Sequence, residues 1–585
     1  MALFSAERSI MNKKKLLSYV ALYGLSALIG FLTYYFTLPA INAQSTGFWI
    51  FAAWICLLGI APIYIMRRES LRITDIIRDL MNRPPRKKKD KSRGVDWGER
   101  MSRKLSRKKT HLLLLIPAVP VAILLVGHLI SSEIFNATAY ADVIEVKEAD
   151  FSVDMPKTDK VTHIALMDTD TARIIGSRTL GSLSNVVSQY EVSDDYSQIN
   201  YLGSPKKVSN LEYAGFFKWL GNKDNGIPGY VMVDPVDNTA KYIELDTPLR
   251  YVKSGYFGDN LLRKLRFDYP TKIFGTPSFE IDDNGNPVFI VPCQKPKVAL
   301  FGAEDVSEVI IFDPCTGESE LYSLDETPSW IDEVYNGYLA CEKYDWKGRL
   351  SGGYLNSIIG QKDCKVTTDD FGYVILEDDV WYYTGVTSVN SDKSNIGFIM
   401  TNARTGEYKF YSVIGAEEHS AMAAAEGEVQ EKGYVASFPA LINACGQPTY
   451  IMTLKDDGGL VKLYALVNVE KYSIVATETT QEKAMEAYEA LLIEEGIITE
   501  SDIPETGAPT TELTVTVSDV RIVTVGGESY IYLGAPDEDG NNRLFRASIA
   551  SDESLLLIRV GDRITLKATE SDTRGIFIIS EWSAS

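Results

Sequence analysis

The sequence is poor in the residues that build metal and disulfide sites. Its 585 residues include four histidines (His111, His128, His163 and His419) and six cysteines, none of them in a CxxC pair. Two of the histidines border or lie in an apolar run. A zinc site made of histidine and cysteine is therefore not expected, and we expect no metal ion or other cofactor. A chain of this length also needs no disulfide framework to fold.

The cysteines leave two questions open. Cys56 lies in an apolar run, and the five cysteines beyond the apolar runs cannot all pair within one chain. One disulfide among them is compatible with the sequence, and so is a reactive thiol at the third or fourth of them. These five are Cys293, Cys315, Cys341, Cys364 and Cys445.

Catalytic signatures are also lacking. The sequence contains no GxSxG, HExxH or Walker A motif, and no GxGxxG that follows a strand. His419 next to Glu417 and Glu418 could act as a general base, but a solvated helix start explains the same residues. We therefore assign no catalytic, cofactor-binding or metal-binding residue, and the sequence favours a function other than catalysis.

Acidic turns provide the remaining candidates for ion binding. The turns at 282–286 and 537–542 resemble calcium loops, but neither has the glycine at the sixth position or the closing glutamate that such loops require. Asp168 and Asp170 could bind a cation, although capping of a short helix explains them better. Hairpin turns and a helix cap are the preferred interpretation.

Charged residues are absent from three apolar runs, Leu16–Phe36, Phe48–Met66 and His111–Ile130. A helix of about 20 residues crosses the hydrocarbon core of a bilayer, which is about 30 Å thick. Channels and transporters need ionisable residues within their spans, so these runs indicate anchoring. We predict two transmembrane helices in residues 1–66 and a third at 111–130.

The charge is distributed unevenly around these runs. Residues 67–110 carry 17 Lys+Arg and 6 Asp+Glu, whereas the whole chain has a net charge of −20. The positive-inside rule places residues 67–110 in the cytoplasm of a plasma-membrane protein, facing anionic lipid, and residues 131–585 outside the cell. Nucleic-acid binding is not favoured, because Trp97 is the segment's only aromatic residue. A sequence Ala139-Tyr140-Ala141 resembles a signal-peptidase site, so cleavage after Ala141 stays an open alternative.

Internal repetition is the main feature of residues 131–498. Residues 234–245, 313–324 and 402–413 share one layout, in which Asp or Asn opens a turn between two strands. A looser copy lies at 463–476. Further strands precede the later copies, and the pattern predicts helices at 258–269, 329–339, 417–430 and 481–495, with a capping box at 209–212. We predict an α+β repeat region of antiparallel meanders and helices.

A polar segment, residues 499–512, predicts a linker to a terminal domain at 513–585. Five or six short strands are expected there, and VGDRITLKA at 560–568 resembles the OB-fold, a small β-barrel. Acidic residues outnumber basic ones in this domain, so the sequence does not support a nucleic-acid groove.

Three further segments carry a resemblance over most of the chain. Residues 273–287, 353–373 and 394–413 resemble a group of uncharacterised three-span membrane proteins of Gram-positive, clostridia-like bacteria. This resemblance implies a bacterial cell membrane and brings no catalytic residues. The T-G-E hairpins are similar to PepSY-type domains, which are extracytoplasmic modules that often bind or inhibit.

Together these patterns predict a structural or binding protein anchored in the bacterial cell envelope. Its partner would be an unidentified envelope protein or polymer, and homo-oligomerisation through strand edges is open. One alternative is an envelope hydrolase that acts on glycan or peptide with carboxylates in a cleft. Another is a subunit of a secretion or conjugation machine, in which the basic loop contacts a cytoplasmic component.

Overall fold

The fold was examined in a computed structural model. It describes residues 2–67, 113, 115–158, 164–183, 186–368, 370–376, 378–389, 394–499, 511–525, 528–536, 542–549, 553–570 and 576–584. The predicted basic loop and most of the predicted linker lie outside these ranges. The chain divides into two compact units, Met1–Leu491 and Leu492–Ser585.

The N-terminal unit begins with apolar helices. They are α1 (Ala2–Thr37), α2 (Thr46–Arg67), α3 (Leu115–Ile130) and α4 (Glu133–Ala141). Two segments, Leu17–Thr37 and Thr46–Ile65, are long and apolar enough to cross a membrane. The predicted third span corresponds to α3, whose 16 residues extend only about 24 Å. It reaches a spanning length only together with α4, from which it is bent by 56°.

The repeat region consists of four modules that share one strand order. In each, a central strand pairs on one side with two short strands and on the other with the first strand of a hairpin, whose second strand lies beyond it in the sheet. A short connection precedes them: strand β1 (Val146–Ala149) and the single helical turn α5 (Phe151–Asp154). Strand β1 joins the edge of the third module by pairing in parallel with residues Tyr408–Tyr411.

The first two modules form one half of the repeat region. Module 1 contains α6 (Thr169–Gly181), β2 (Tyr190–Val192), β3 (Ser197–Tyr201), β4 (Ser204–Tyr213), α7 (Phe216–Asn222), β5 (Ile227–Asp234) and β6 (Thr239–Leu249). Module 2 contains α8 (Leu261–Asp268), β7 (Ile273–Phe274), β8 (Ser278–Ile281), β9 (Pro287–Val298), β10 (Gly302–Phe312) and β11 (Ser319–Ser323).

The last two modules form the other half. Module 3 contains α9 (Gly337–Leu350), β12 (Lys365–Thr367), β13 (Gly372–Leu376), β14 (Asp379–Ser388), β15 (Ser394–Asn395), β16 (Gly397–Asn402), β17 (Tyr408–Tyr411) and β18 (Gly415–Ala416). Module 4 contains α10 (Glu418–Glu428), β19 (Val435–Ala436), β20 (Ala440–Ala444), β21 (Gln447–Lys455), β22 (Val461–Asn468) and β23 (Val475–Glu478), and α11 (Gln481–Glu494) follows it.

Each half has its own apolar core. Phe289 on β9 and Phe312 on β10 pack in one cluster with Val231 of module 1. Phe398 of module 3 and Tyr450 of module 4 belong to a second cluster, and their rings are 5.9 Å apart. Burial of apolar side chains therefore holds modules 1 and 2 together, and separately modules 3 and 4.

The predicted hairpins are confirmed. In the first three modules, the side chain that opens the hairpin turn accepts backbone N–H groups two and three residues ahead; these side chains are Asp234, Asp313 and Asn402. The turn then closes through a residue with positive φ, for example Gly317 at 79°, where glycine avoids the steric cost of a side chain. The looser fourth copy is the β22–β23 hairpin.

Two local predictions were wrong. The predicted capping box at 209–212 lies inside β4, because Leu211 and its neighbours are buried as part of a sheet. The helix predicted at 329–339 starts instead at Gly337, after the N-cap Asn336. The backbone N–H groups of Asp332 and Glu333 are bound by the Glu280 carboxylate, which keeps that stretch out of the helix.

The C-terminal unit contains one six-stranded sheet among its described residues. Its strands are β24 (Thr511–Thr516), β25 (Asp519–Val525), β26 (Glu528–Pro536), β27 (Asn542–Ser548), β28 (Arg563–Glu570) and β29 (Ile576–Ala584). Their order is β24-β28-β29-β27-β26-β25, and only the β27–β29 pair is parallel. Leu533, Phe545 and Leu566 are fully buried in its core.

The shared core of modules 1 and 2 generates a stability prediction. Phe289→Ala should lower the free energy of unfolding by about 3–5 kcal/mol, because it removes a fully buried ring and leaves a cavity. Thermal unfolding of the detergent-solubilised chain measures the change. Tyr472→Ala, at a side chain 55% exposed, is the control and should unfold like the wild type. Equal losses in the two variants would contradict this assignment of the core.

Candidate functional site

A cluster of buried and half-buried charged groups lies where modules 1, 2 and 3 meet. We call it the junction cluster and define it as Lys207, Glu280, Asp332, Glu333 and Arg404. These residues come from strand β4, strand β8, the segment between β11 and α9, and the β16–β17 turn. The two halves of the repeat region therefore meet through these polar groups as well as through small apolar clusters between module 2 and α9.

Glu280 is the most deeply buried acid of the junction cluster. Its side chain is completely inaccessible to solvent, and its two oxygens accept hydrogen bonds from the backbone N–H groups of Asp332, at 3.0 Å, and Glu333, at 2.9 Å. Burial is the main cause that raises the pKa of Glu280, and the neighbouring Asp332 adds to the effect. A buried carboxyl of this kind favours the protonated form.

Asp332 connects the cluster to module 1. Its Oδ2 accepts a hydrogen bond from the backbone N–H of Asn200 at 2.9 Å. Burial raises the pKa of Asp332 to about 7, and the carboxylates of Asp378 and Asp379 add to this effect, whereas Arg404 opposes it. The guanidinium of Arg404 is engaged elsewhere, in a bidentate pair with Asp379 at 2.7 and 2.8 Å.

Lys207 is a nearly inaccessible cation on the other side of the cluster. Its side chain is 1% exposed, and its ammonium nitrogen lies 4.1 Å from the centre of the Tyr373 ring. Burial lowers the pKa of Lys207 to about 7, against the attraction of Asp168 and Glu333. Burial likewise raises the pKa of Glu333 to about 7, against a hydrogen bond from Tyr382.

The junction cluster can therefore take up and release protons near neutral pH, but it is enclosed. Tyr382, which hydrogen-bonds to Glu333, borders a cavity of about 10 Å³ that is lined by residues outside the cluster, among them Cys341 and Tyr383; this volume is barely the space of one water molecule. A sugar ring or a peptide does not fit there. The chemistry that this arrangement allows is proton binding coupled to the packing of three modules.

Two other buried polar contacts reinforce module 3. The ammonium of Lys343 on α9 lies 2.6 Å from Oδ1 of Asp305 on β10, and both side chains are at least nine-tenths buried. Glu418 at the start of α10 is completely buried and accepts the backbone N–H of Gly385 at 2.6 Å. Both pairs join elements of neighbouring modules.

A second polar site connects module 2 to the end of α1. Arg266 on α8 donates hydrogen bonds to the carbonyl oxygens of Leu38, at 2.9 Å, and of Lys272, at 2.6 Å. Arg263, one turn earlier, donates to the carbonyl of Tyr35 at 3.1 Å. The carbonyls of Tyr35 and Leu38 lie at the C-terminal end of α1, where a helix has no partners of its own. The two arginines therefore cap α1.

The end of α3 is held by the same module. Oγ of Ser131 accepts the backbone N–H groups of Leu300 and Phe301 in the β9–β10 turn, at 3.0 and 2.9 Å. Gly127 lets this turn approach the helix, because a Cβ there would lie 2.3 Å from the Phe301 ring. We call these contacts, together with those of Arg263 and Arg266, the helix clamp.

The structure places the residues considered from sequence mostly in structural roles. Asp168 caps α6 by accepting the N–H of Thr171 at 2.8 Å, and it is paired with Lys455. The Asp282 side chain accepts hydrogen bonds from the backbone N–H groups of Asn284 and Asn286 in its own turn. The ring of His419 lies 6.4 Å from that of Phe438. None of the six cysteines, all of which lie in the described part of the chain, forms a disulfide.

The turn at 537–542 lies almost wholly outside the described residues. Among the residues that are described, no group of three or more His, Cys, Asp or Glu side chains could hold a metal ion.

Sequence reasoning missed the junction cluster. The available signal was a charged residue within an apolar strand, such as Glu280 between Phe279 and Ile281. A charged residue in a strand cannot be interpreted until its contacts are known. The contacts of Glu280 cannot be read from the sequence, because Lys207 and Asp332 are tens of residues away from it. Comparison with models of protein families, with curated proteins and with solved structures gave no match to this chain.

The raised pKa of Asp332 generates a pH prediction. The folded pKa of Asp332, about 7, exceeds the ordinary value of an aspartate, about 4. Between these two pH values the folded chain binds more protons than the unfolded chain, so the chain loses stability as pH rises through this range. Asp332→Asn keeps the acceptor for Asn200. It should unfold like the wild type at pH 4 and be more stable at pH 8, by up to about 4 kcal/mol.

Thermal unfolding across this pH range measures the difference. Asp283→Asn, at an exposed position in the same module, should leave the pH profile unchanged. The burial argument is wrong if Asp332→Asn destabilises the chain equally at both pH values.

The helix clamp generates a second prediction. Arg266→Ala leaves the carbonyls of Leu38 and Lys272 without these hydrogen bonds, so amide hydrogen exchange should become faster in residues 38–45. The control is Arg250→Ala, because the Arg250 side chain is 61% exposed and pairs only with Asp259 among the described residues. Unchanged exchange in Arg266→Ala would contradict the clamp.

Proposed function

We propose that this chain is a membrane-anchored structural or binding protein of a bacterial cell envelope. Its apolar helices, including a third span at 111–130, hold the repeat region and the C-terminal unit outside the cell, and the basic segment 67–110 faces anionic lipid in the cytoplasm. The main support for the proposal is the helix clamp, because module 2 makes hydrogen bonds with the ends of two apolar helices. A body held in this way has a fixed orientation at the membrane surface.

Several features support binding over catalysis. The most buried carboxyl group of the junction cluster, Glu280, is completely inaccessible to solvent and is occupied by two backbone N–H groups, so a substrate does not reach it in this fold. Outer strand β6, by contrast, is 11 residues long, carries exposed side chains and pairs only with β5 among the described residues. Such an edge can receive a strand from a partner. The partner would be an envelope protein, a polymer or a second copy of the chain.

The C-terminal unit extends the proposal. We infer an OB-like barrel there, in which β24 and β25 are one strand interrupted at Val517 and Ser518. The strand order supports this inference, because β29 lies between β27 and β28 and pairs with β27 in parallel, which connects the two ends of the strand order. The alternative of a secretion-machine subunit depends on the basic segment and stays a prediction.

Membrane orientation is the experiment that tests the proposal. A membrane-impermeant maleimide should label Tyr472→Cys in intact cells and should label Ser92→Cys, in the basic segment, only after lysis. The unsubstituted chain corrects for native thiols. Labelling in the reverse order, or recovery of the chain in the soluble fraction, would overturn the proposal.

Binding through the strand edge needs its own readout. A photo-crosslinking residue at Lys241 on β6 should give a defined adduct in cells, and the same residue at the exposed Leu202 of the β3–β4 turn should not. A chain that stays monomeric and gives no adduct along β6 would contradict this part of the proposal.

A further inference from the structure

Module 1 exposes a group of apolar side chains that we call the aromatic patch: Phe216, Phe217, Leu220, Tyr256 and Phe257. Three of them, Phe216, Phe217 and Leu220, are on α7, whose sequence FFKWLGN turns most of its apolar residues outwards, and the other two lie in the segment between β6 and α8. Phe217 is 82% exposed and Phe257 is 51% exposed. A contiguous apolar surface of this kind indicates a contact with another molecule or a membrane.

The patch is built on an ordered framework. The buried Trp219 packs its ring 5.7 Å from that of Phe216 and 5.7 Å from that of Phe257. Its indole nitrogen donates to Oδ2 of Asp259 at 3.2 Å. The Phe216 ring also meets the Tyr256 ring at 5.0 Å, edge to face. The exposed rings are therefore held in place by the protein.

Arg263 connects the patch to the end of the first apolar helix. It donates to the carbonyl of Phe257 at 2.7 Å and to that of Tyr35 at 3.1 Å, and its guanidinium lies 4.3 Å from the centre of the Tyr35 ring. The neighbouring Phe267 packs edge to face on Tyr34 at 6.0 Å. Tyr34 and Tyr35 belong to the last turn of the candidate span Leu17–Thr37.

We propose that the aromatic patch inserts into the interface of the bilayer that α1 crosses, on the side where α1 ends; this inference rests on the membrane anchoring proposed above. Aromatic residues concentrate at the boundary between head groups and acyl chains, and the patch continues the aromatic end of α1. Lys218 and Lys223 flank it and can reach lipid phosphates while their stems stay in the apolar region. Module 1 then contacts the membrane directly, beside the clamp of module 2.

The patch position relative to lipid can be measured on the full chain. Phe217→Cys is labelled with the environment-sensitive dye NBD and reconstituted in vesicles of phosphatidylcholine and phosphatidylglycerol. Tyr472→Cys, on module 4, is the matched control, and the unsubstituted chain corrects for native thiols. We expect blue-shifted emission from position 217, quenched by lipids with a shallow doxyl group, and water-like emission from position 472.

Each other outcome has a distinct meaning. Water-like emission at position 217, quenched by aqueous iodide, overturns the inference, and so does emission protected from both quenchers, because a second protein copy then covers the patch. Flotation of the same samples reports the anchor separately. A chain that does not float with the vesicles refutes the proposed function, whereas a floating chain with a water-exposed position 217 refutes only this inference. Phe257→Cys repeats the test at a second patch residue.

Discussion

The arrangement of the repeat region depends on the buried carboxyl group of Glu280. Two backbone N–H groups donate hydrogen bonds to this side chain. Leaving either buried N–H group without an acceptor would lower the stability of the fold. By holding Asp332 and Glu333, Glu280 keeps the segment after module 2 extended and delays the next helix until Gly337. The same contact places Asp332 against Asn200 of module 1. One side chain thus sets how three modules meet.

Apolar and polar contacts contribute differently to the packing of the repeat region. Shared apolar cores join module 1 to module 2 and module 3 to module 4, smaller apolar clusters join module 2 to α9 of module 3, and such contacts are non-directional. The junction cluster between the halves requires particular hydrogen-bond geometry, so it favours one arrangement over others. The cluster contains groups whose pKa values lie near neutrality. The packing of the two halves therefore depends on pH.

The repeat region and the apolar helices also meet through polar chemistry. The carbonyl groups at the end of α1 have no partners within the helix, and Arg263 and Arg266 supply donors from module 2. Ser131 does the reverse at the end of α3 by accepting two N–H groups from a turn. The end of α1 is therefore completed by module 2, and the end of α3 supplies an acceptor to module 2, which makes the orientation of the folded body part of the fold.

The sequence by itself determined the local features. The apolar runs, the hairpins opened by Asp234, Asp313 and Asn402, and the helices near 417–430 and 481–495 all follow from short-range periodicity and turn chemistry, which a single chain segment carries. Only the tertiary structure decided that Glu280, Lys207 and Asp332 share one buried site, and that Ser209–Glu212 belongs to a strand. Those outcomes depend on partners tens of residues away, because burial and hydrogen-bond geometry arise from packing that no local pattern encodes.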